Sequence, residues 1–277
     1  MSMELAIWTQ YYHGLTPEDA VKEFIKNGIY AAELSYEHGR NLLGHSDDIV
    51  ATGKKFGAFV KENSFTMTQG HLWLNIRLCE NPNDVYELFN WIDLYEAIGI
   101  RNMVLHCDGS SYDELGYEAC AAQNIEKLKI IAEYIEDKDI TVCLENLWSV
   151  VDGIDRLLYL IDSVGSNKLG ICLDTGHLNL QEDKDQCKFI LKAGKRLRAL
   201  HIADNDGTDD QHIMPFTRGN IDFVSVVRTL KEIGYEGNLT FEFVYGRLPD
   251  RLVPGFLRQA YDTGLVLTDM FEGKEVL

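Results

Sequence analysis

The chain has 277 residues, 45% of them hydrophobic and 10% aromatic, and its 26 basic against 44 acidic side chains leave a formal charge of −18. That length and core content suit a single domain over residues 1–277, and so acidic a surface disfavours nucleic acid and anionic membranes, which need clustered Lys and Arg. No run of about 18 apolar residues exists to span a bilayer. The opening MSMELAIWTQ turns straight into a strand, unlike a secretory leader, and the six cysteines are scattered without a CxxC pair, so a soluble protein of a reducing cytoplasm is expected.

Short β-branched runs alternate with longer helical patterns from the start of the chain. The first strand is predicted over residues 4–9, and the helix after it opens with Thr16 as N-cap and Pro17 at its first position. The second strand, 31–35, leads to a helix begun by Ser46, Asp47 and Asp48. The third, 65–70, leads past Asn81 and Pro82 to a helix ending near Ile98, and the fourth, 102–107, to a long helix over 120–136. Strands five to eight are predicted at 140–145, 169–174, 198–202 and 238–243, with helices over 153–164, 183–193, 223–233 and 254–267. Gly28, Gly99, Gly165 and Gly234 fall where helix C-caps belong. Eight βα units without a break in composition imply one closed (β/α)8 TIM barrel. A doubly wound sheet would want a glycine-rich phosphate turn after an early strand, and none is present.

Four of these strands end alike. Glu145 in TVCLENL, Asp174 in LGICLDTGH, His201 in RALHIADND and Glu242 in NLTFEF each follow an apolar run. In a closed barrel they converge at the C-terminal mouth as an oxygen-rich cage for one divalent cation. Five of the eight histidines, His71, His106, His177, His201 and His212, fall just after strands, the end of the barrel where its chemistry is confined. In DTGH, Gly176 lets the chain turn so that Asp174 can meet the metal with His177 at its edge. Asp204, Asp206, Asp209 and Asp210 are read either as a solvated loop or, for Asp210, as part of the site. Cys107, Cys143 and Cys172 are read as small apolar fillers.

The strings LENL, CLDTGHL, HIADNDG, DQH and FEF resemble the xylose-isomerase-like barrel superfamily, and the similarity covers essentially the whole chain. That group includes sugar and sugar-phosphate isomerases and epimerases, inosose and dehydroshikimate dehydratases, and endonuclease IV. In its sugar-acting members the residues matching Glu145, Asp174, His201 and Glu242 hold one Mn, Mg, Co or Fe ion, the match to His177 contacts substrate, and the two glutamates handle the proton. Endonuclease IV binds three zinc ions, and each of its ligands has a counterpart: His71 and His106 with Glu145; Glu145, Asp174, His201 and Glu242; and His177, Asp210 and His212. One to three ions are therefore implied.

The reading that follows is a metal-dependent isomerase or epimerase of a small sugar, sugar phosphate or related polyhydroxy carbonyl compound. Glu145 and Glu242 are its catalytic pair, and His177, Trp73, Trp148 and Arg218 are candidates to line its substrate. A lyase or dehydratase on the same scaffold, an endonuclease-IV-type phosphodiesterase and a degenerate barrel are the alternatives, and assembly into a homo-oligomer stays open. Sugar epimerases of this group carry glycine after the proline where this chain has Pro215 and Phe216, which points to a reshaped substrate loop.

Overall fold

The computed structural model describes residues 3–81, 83–243 and 248–274; Pro82, expected before the fourth strand's preceding helix, lies outside them. Eight parallel strands form one sheet: β1 (Leu5–Trp8), β2 (Ala31–Leu34), β3 (Thr66–His71), β4 (Asn102–Leu105), β5 (Thr141–Glu145), β6 (Leu169–Asp174), β7 (Leu197–His201) and β8 (Leu239–Phe241). Their order is β7-β6-β5-β4-β3-β2-β1-β8. The ring closes through a parallel bridge between Ile202, one residue past β7, and Phe241, with Ile202 N donating to Thr240 O at 2.8 Å and Glu242 N to Ile202 O at 3.2 Å. The fold is the expected TIM barrel.

The helices are α1 (Pro17–Lys26), α2 (Tyr36–Gly44), α3 (Ile49–Glu62), α4 (Asp84–Ile98), α5 (Tyr112–Tyr134), α6 (Ile154–Val164), α7 (Thr175–Asn179), α8 (Gln186–Ala193), α9 (Phe223–Glu232) and α10 (Val253–Glu272). Thr16 caps α1 as expected, its hydroxyl accepting from Asp19 N at 3.2 Å, and Asp48 does the same for α3. Several elements differ from the sequence reading, and β4 stops at Leu105 rather than Cys107. The fifth helix starts at Tyr112 and kinks at Gly116 (φ 76°), α2 and the single-turn α7 were not anticipated, and β8 stops before Glu242.

The alternation of side chains along a strand explains how the bore is furnished. Val104, Cys143, Cys172 and Ala199 form a small buried cluster of their own. Each lies two residues before a mouth residue on the same face: His106, Glu145, Asp174 and His201. Apolar side chains thus make a dry floor directly beneath the polar group, and the three cysteines read as fillers are buried: Cys107 is 8% exposed, and Cys143 and Cys172 are fully enclosed.

A candidate metal centre at the barrel mouth

Glu145 ends β5, Asp174 ends β6, His201 ends β7, and Glu242 follows β8; one donor atom from each lies within 4.8 Å of those of the other three. All four are buried. His201 Nδ1 is the hub, 3.3 Å from Glu145 Oε1 and 3.4 Å from Glu242 Oε2. Asp174 is held on both sides. Asn146 pairs with its backbone, Oδ1 accepting from Asp174 N at 2.7 Å and Nδ2 donating to Asp174 O at 2.9 Å. Its own Oδ1 accepts from His177 N at 2.7 Å, capping α7 and pointing Oδ2 into the group.

Two further trios flank this group, His71 with His106 and Glu145, and His177 with Asp210 and His212, again within 4.8 Å. Backbone carbonyls set the tautomers at the outer ends. His71 Nδ1 donates to Leu72 O at 2.9 Å, and His212 Nδ1 to Glu242 O at 2.8 Å. A carbonyl can only accept, so in each ring Nε2 is the nitrogen left to face the cluster. His71 Nε2 lies 3.2 Å from His106 Nε2 and 3.5 Å from Glu145 Oε2, which His106 Nε2 approaches at 2.9 Å. His212 Nε2 lies 3.1 Å from Asp210 Oδ2, itself 3.4 Å from His177 Nε2.

So dense a cluster separates its members electrostatically. Burial works to raise Glu145, but His201, His106 and His177 outweigh it and hold the carboxyl well below its usual range. For Glu242 burial wins, helped by Glu145 and Asp174, and pushes it up to about 7. Burial opposes a charge on His212, yet Asp210 and Glu242 push it up to about 10. Asp174 Oδ2 and His201 Nδ1 are buried without a hydrogen-bond partner among the described residues. Buried polar atoms left unpaired are costly. Two such atoms in one close group of carboxylate oxygens and imidazole nitrogens fit one or more divalent cations.

Of the residues expected to line substrate, Trp148 is at the site: half-exposed, its ring is edge-on to His177 with centroids 5.3 Å apart. Trp73 is partly buried against the core, and Arg218 is exposed in the loop before α9; no described contact brings either to the cluster. Asp206 and Asp209 are exposed, whereas Asp204 is buried and receives Ile213 N, so the acidic run is only partly solvated. Phe216 has φ 63°, in the left-handed region that glycine prefers, and its ring meets Phe223 edge-on at 6.0 Å. Sequence reasoning missed two neighbours. Trp8, at the end of β1, stacks on His212 with centroids 6.2 Å apart. Glu33 on β2 accepts from His201 Nε2 at 2.9 Å. The signal for Glu33 was available, a lone charge inside the buried run AAEL.

A closed parallel barrel with a carboxylate–imidazole group at its C-terminal mouth defines a class of protein whose chemistry sits on that face. Comparison with known proteins narrows the class. The profile of the xylose isomerase-like TIM barrel family matches residues 21–259, and the chain belongs to that family. It is similar to the L-ribulose 3-epimerase of Methylomonas sp. (strain DH-1), with 30% identity over 167 residues, 57% of this chain and 55% of that one. It is also similar to a probable endonuclease 4 of Metamycoplasma arthritidis, with 26% identity over 136 residues, 45% of this chain and 48% of that one. These alignments span about half the length of each relative. Among solved structures, a D-psicose 3-epimerase determined in the presence of D-fructose superposes with a TM-score of 0.78, covering 96% of this chain and 99% of the other at 14% identity, which is a likeness of fold.

Proposed function

We propose that the protein is a divalent-metal-dependent isomerase or epimerase that moves a proton at the carbon next to the carbonyl of a small sugar, sugar phosphate or related polyhydroxy compound. The observation that carries this reading is the convergence of two buried glutamates, Glu145 and Glu242, from different strands onto one group with Asp174 and His201. Those four would hold the first ion, and His71, His106, His177, Asp210 and His212 offer donors for up to two more. A bound cation polarises the carbonyl and acidifies the proton beside it. Glu145 and Glu242 both reach His201 Nδ1, at 3.3 and 3.4 Å, so a carbon held beside the ion would meet a carboxylate from each of two strands, one to take the proton and one to return it. His177 borders both the group and Trp148, whose exposed ring offers an apolar wall to the C–H face of a sugar. The 3-epimerase relatives support a ketose as substrate, and six free cysteines suit a reducing cytoplasm.

The test is solvent exchange. Incubating the metal-supplemented protein with a panel of ketoses, inososes and keto-acids in deuterated water should put deuterium into at least one compound. Glu145→Gln and Glu242→Gln should each abolish that exchange. A dehydratase on this scaffold would show the exchange followed by loss of water. The two flanking trios and the endonuclease 4 relative favour one second reading, a phosphodiesterase using three ions. Cleavage of abasic DNA with no sugar exchanged would replace the first reading by the second.

A further inference from the structure

We infer that Glu33 is a positioning residue that fixes the orientation of His201 and holds a proton on its Nε2, making it a stronger donor to an ion than His71 or His212; this rests on the metal-dependent reading above. Every residue of β2 is buried, and its sequence is Ala, Ala, Glu, Leu. A carboxylate is an expensive way to fill such a position unless it is hydrogen-bonded. Glu33 is 1% exposed, and its Oε2 accepts from two donors, His201 Nε2 at 2.9 Å and Gln69 Nε2 at 3.0 Å. The Gln69 amide also reaches Leu200 O at 3.3 Å, which fixes the glutamine on the backbone of β7. Strands β2 and β7 are not neighbours in the sheet. These bonds therefore cross the bore, tying the one imidazole of the central group to the opposite wall.

A carboxylate opposite Nε2 holds a proton there, so a bound ion would take its lone pair from Nδ1. That atom faces Glu145 Oε1 and Glu242 Oε2 at 3.3 and 3.4 Å and has no hydrogen-bond partner among the described residues. His71 and His212 are oriented in the same manner, but by neutral backbone carbonyls. A charged acceptor forms the stronger bond and makes the ring a better electron donor.

Two variants separate this role from simple filling of the bore. Glu33→Gln keeps size and acceptor but removes the charge, and Glu33→Met removes the acceptor. Manganese and zinc affinities would be measured by titration calorimetry, with urea unfolding of each metal-free protein as the control for folding. Loss of about 10- to 100-fold is expected for Glu33→Met, with Glu33→Gln between it and the wild type. Nitrogen-15 NMR of the zinc-loaded protein, assigned against His201→Asn, should show the Nε2–H of His201 at the downfield position of an imidazole bonded to a carboxylate, and that downfield shift should be lost in Glu33→Met. Wild-type affinity and an unchanged ring signal in both variants would overturn the inference while leaving the metal reading intact. If Glu33→Met does not fold, the affinity of Glu33→Gln decides. A wild type that binds neither ion would overturn the metal reading and this inference with it.

Discussion

Glu145 and Glu242 are the same side chain in two settings, and the difference is measurable. Glu145 is ringed by His201, His106 and His177 and held well below the usual carboxylate range, whereas Glu242 is pushed up to about 7 by burial and two neighbouring carboxylates. His212 is raised to about 10. In the metal-free protein near pH 6.5 both Glu242 and His212 are therefore largely protonated, and a cation must displace those protons to bind. Affinity is expected to strengthen as pH rises from about 6 to 8, by up to about tenfold per unit for each proton displaced. Calorimetry in two buffers of different ionisation enthalpy counts the protons released; a count of zero would contradict it. Trp148→Ala removes an exposed wall without touching a carboxylate, so KM should rise about tenfold, or ~1.4 kcal/mol, with kcat changed much less. The residues grouped at the mouth were legible because a carboxylate or histidine ending an apolar run sits at a place of known geometry in a barrel. Glu33 left a signal, the lone charge in AAEL, but not its partner, and Trp8 left none, because what they touch is on the far wall of the bore or in a distant loop, and no local periodicity encodes that.

At the level of elements, α3 and α4 meet through glycine. A Cβ on Gly53 would lie 2.6 Å from Ala97 Cβ, and one on Gly57 2.6 Å from Ile98 O. Neither neighbour is a flexible side-chain end, so the helices cannot part cheaply. Replacing a mid-helix glycine by alanine ordinarily gains about 1 kcal/mol. Here Gly57→Ala should instead lose about 1 to 2 kcal/mol through overpacking. Gly255→Ala, near the start of α10 with nothing within 4 Å, is the control that should be neutral or stabilising. Urea unfolding of the pair decides the matter. Caps and barrel strands were readable in the sequence since Thr16 and Asp48 announce helix starts and β-branched runs announce strands. The turn α7 was not, because five residues are too few to show a period. Its cap, Asp174, was read only as a candidate ligand, whereas its side chain also caps this turn.

Over the whole molecule, the candidate ligands come from β3, β5, β6 and β7 and from the segments after β4, β6, β7 and β8, so an ion at their centre would tie together most of the ring. Metal at 100 times its dissociation constant adds ~2.7 kcal/mol to the folded state, worth about 5 to 10 °C for a chain of this size. Chelator treatment should lower the melting temperature by that amount, and an unchanged midpoint would show that the centre is not loaded. The −18 charge makes a second expectation: abasic duplex DNA should show little binding at an ionic strength of about 0.15 M, read by fluorescence anisotropy. The seam of the ring has a consequence for how the protein is made. β8 pairs with β1 through Leu5↔Leu239, Ala6↔Thr240 and Ile7↔Phe241, and Ile202 meets Phe241 across the seam. During synthesis, then, the first strand waits unpaired on that edge until β8, more than two hundred residues later, has left the ribosome. Glu145, Asp174 and His201 emerge earlier, but Glu242 reaches them only with the strand that shuts the barrel. A nascent or prematurely terminated chain therefore holds three of the four central side chains and no finished centre, which ties the onset of any activity to the last step of folding.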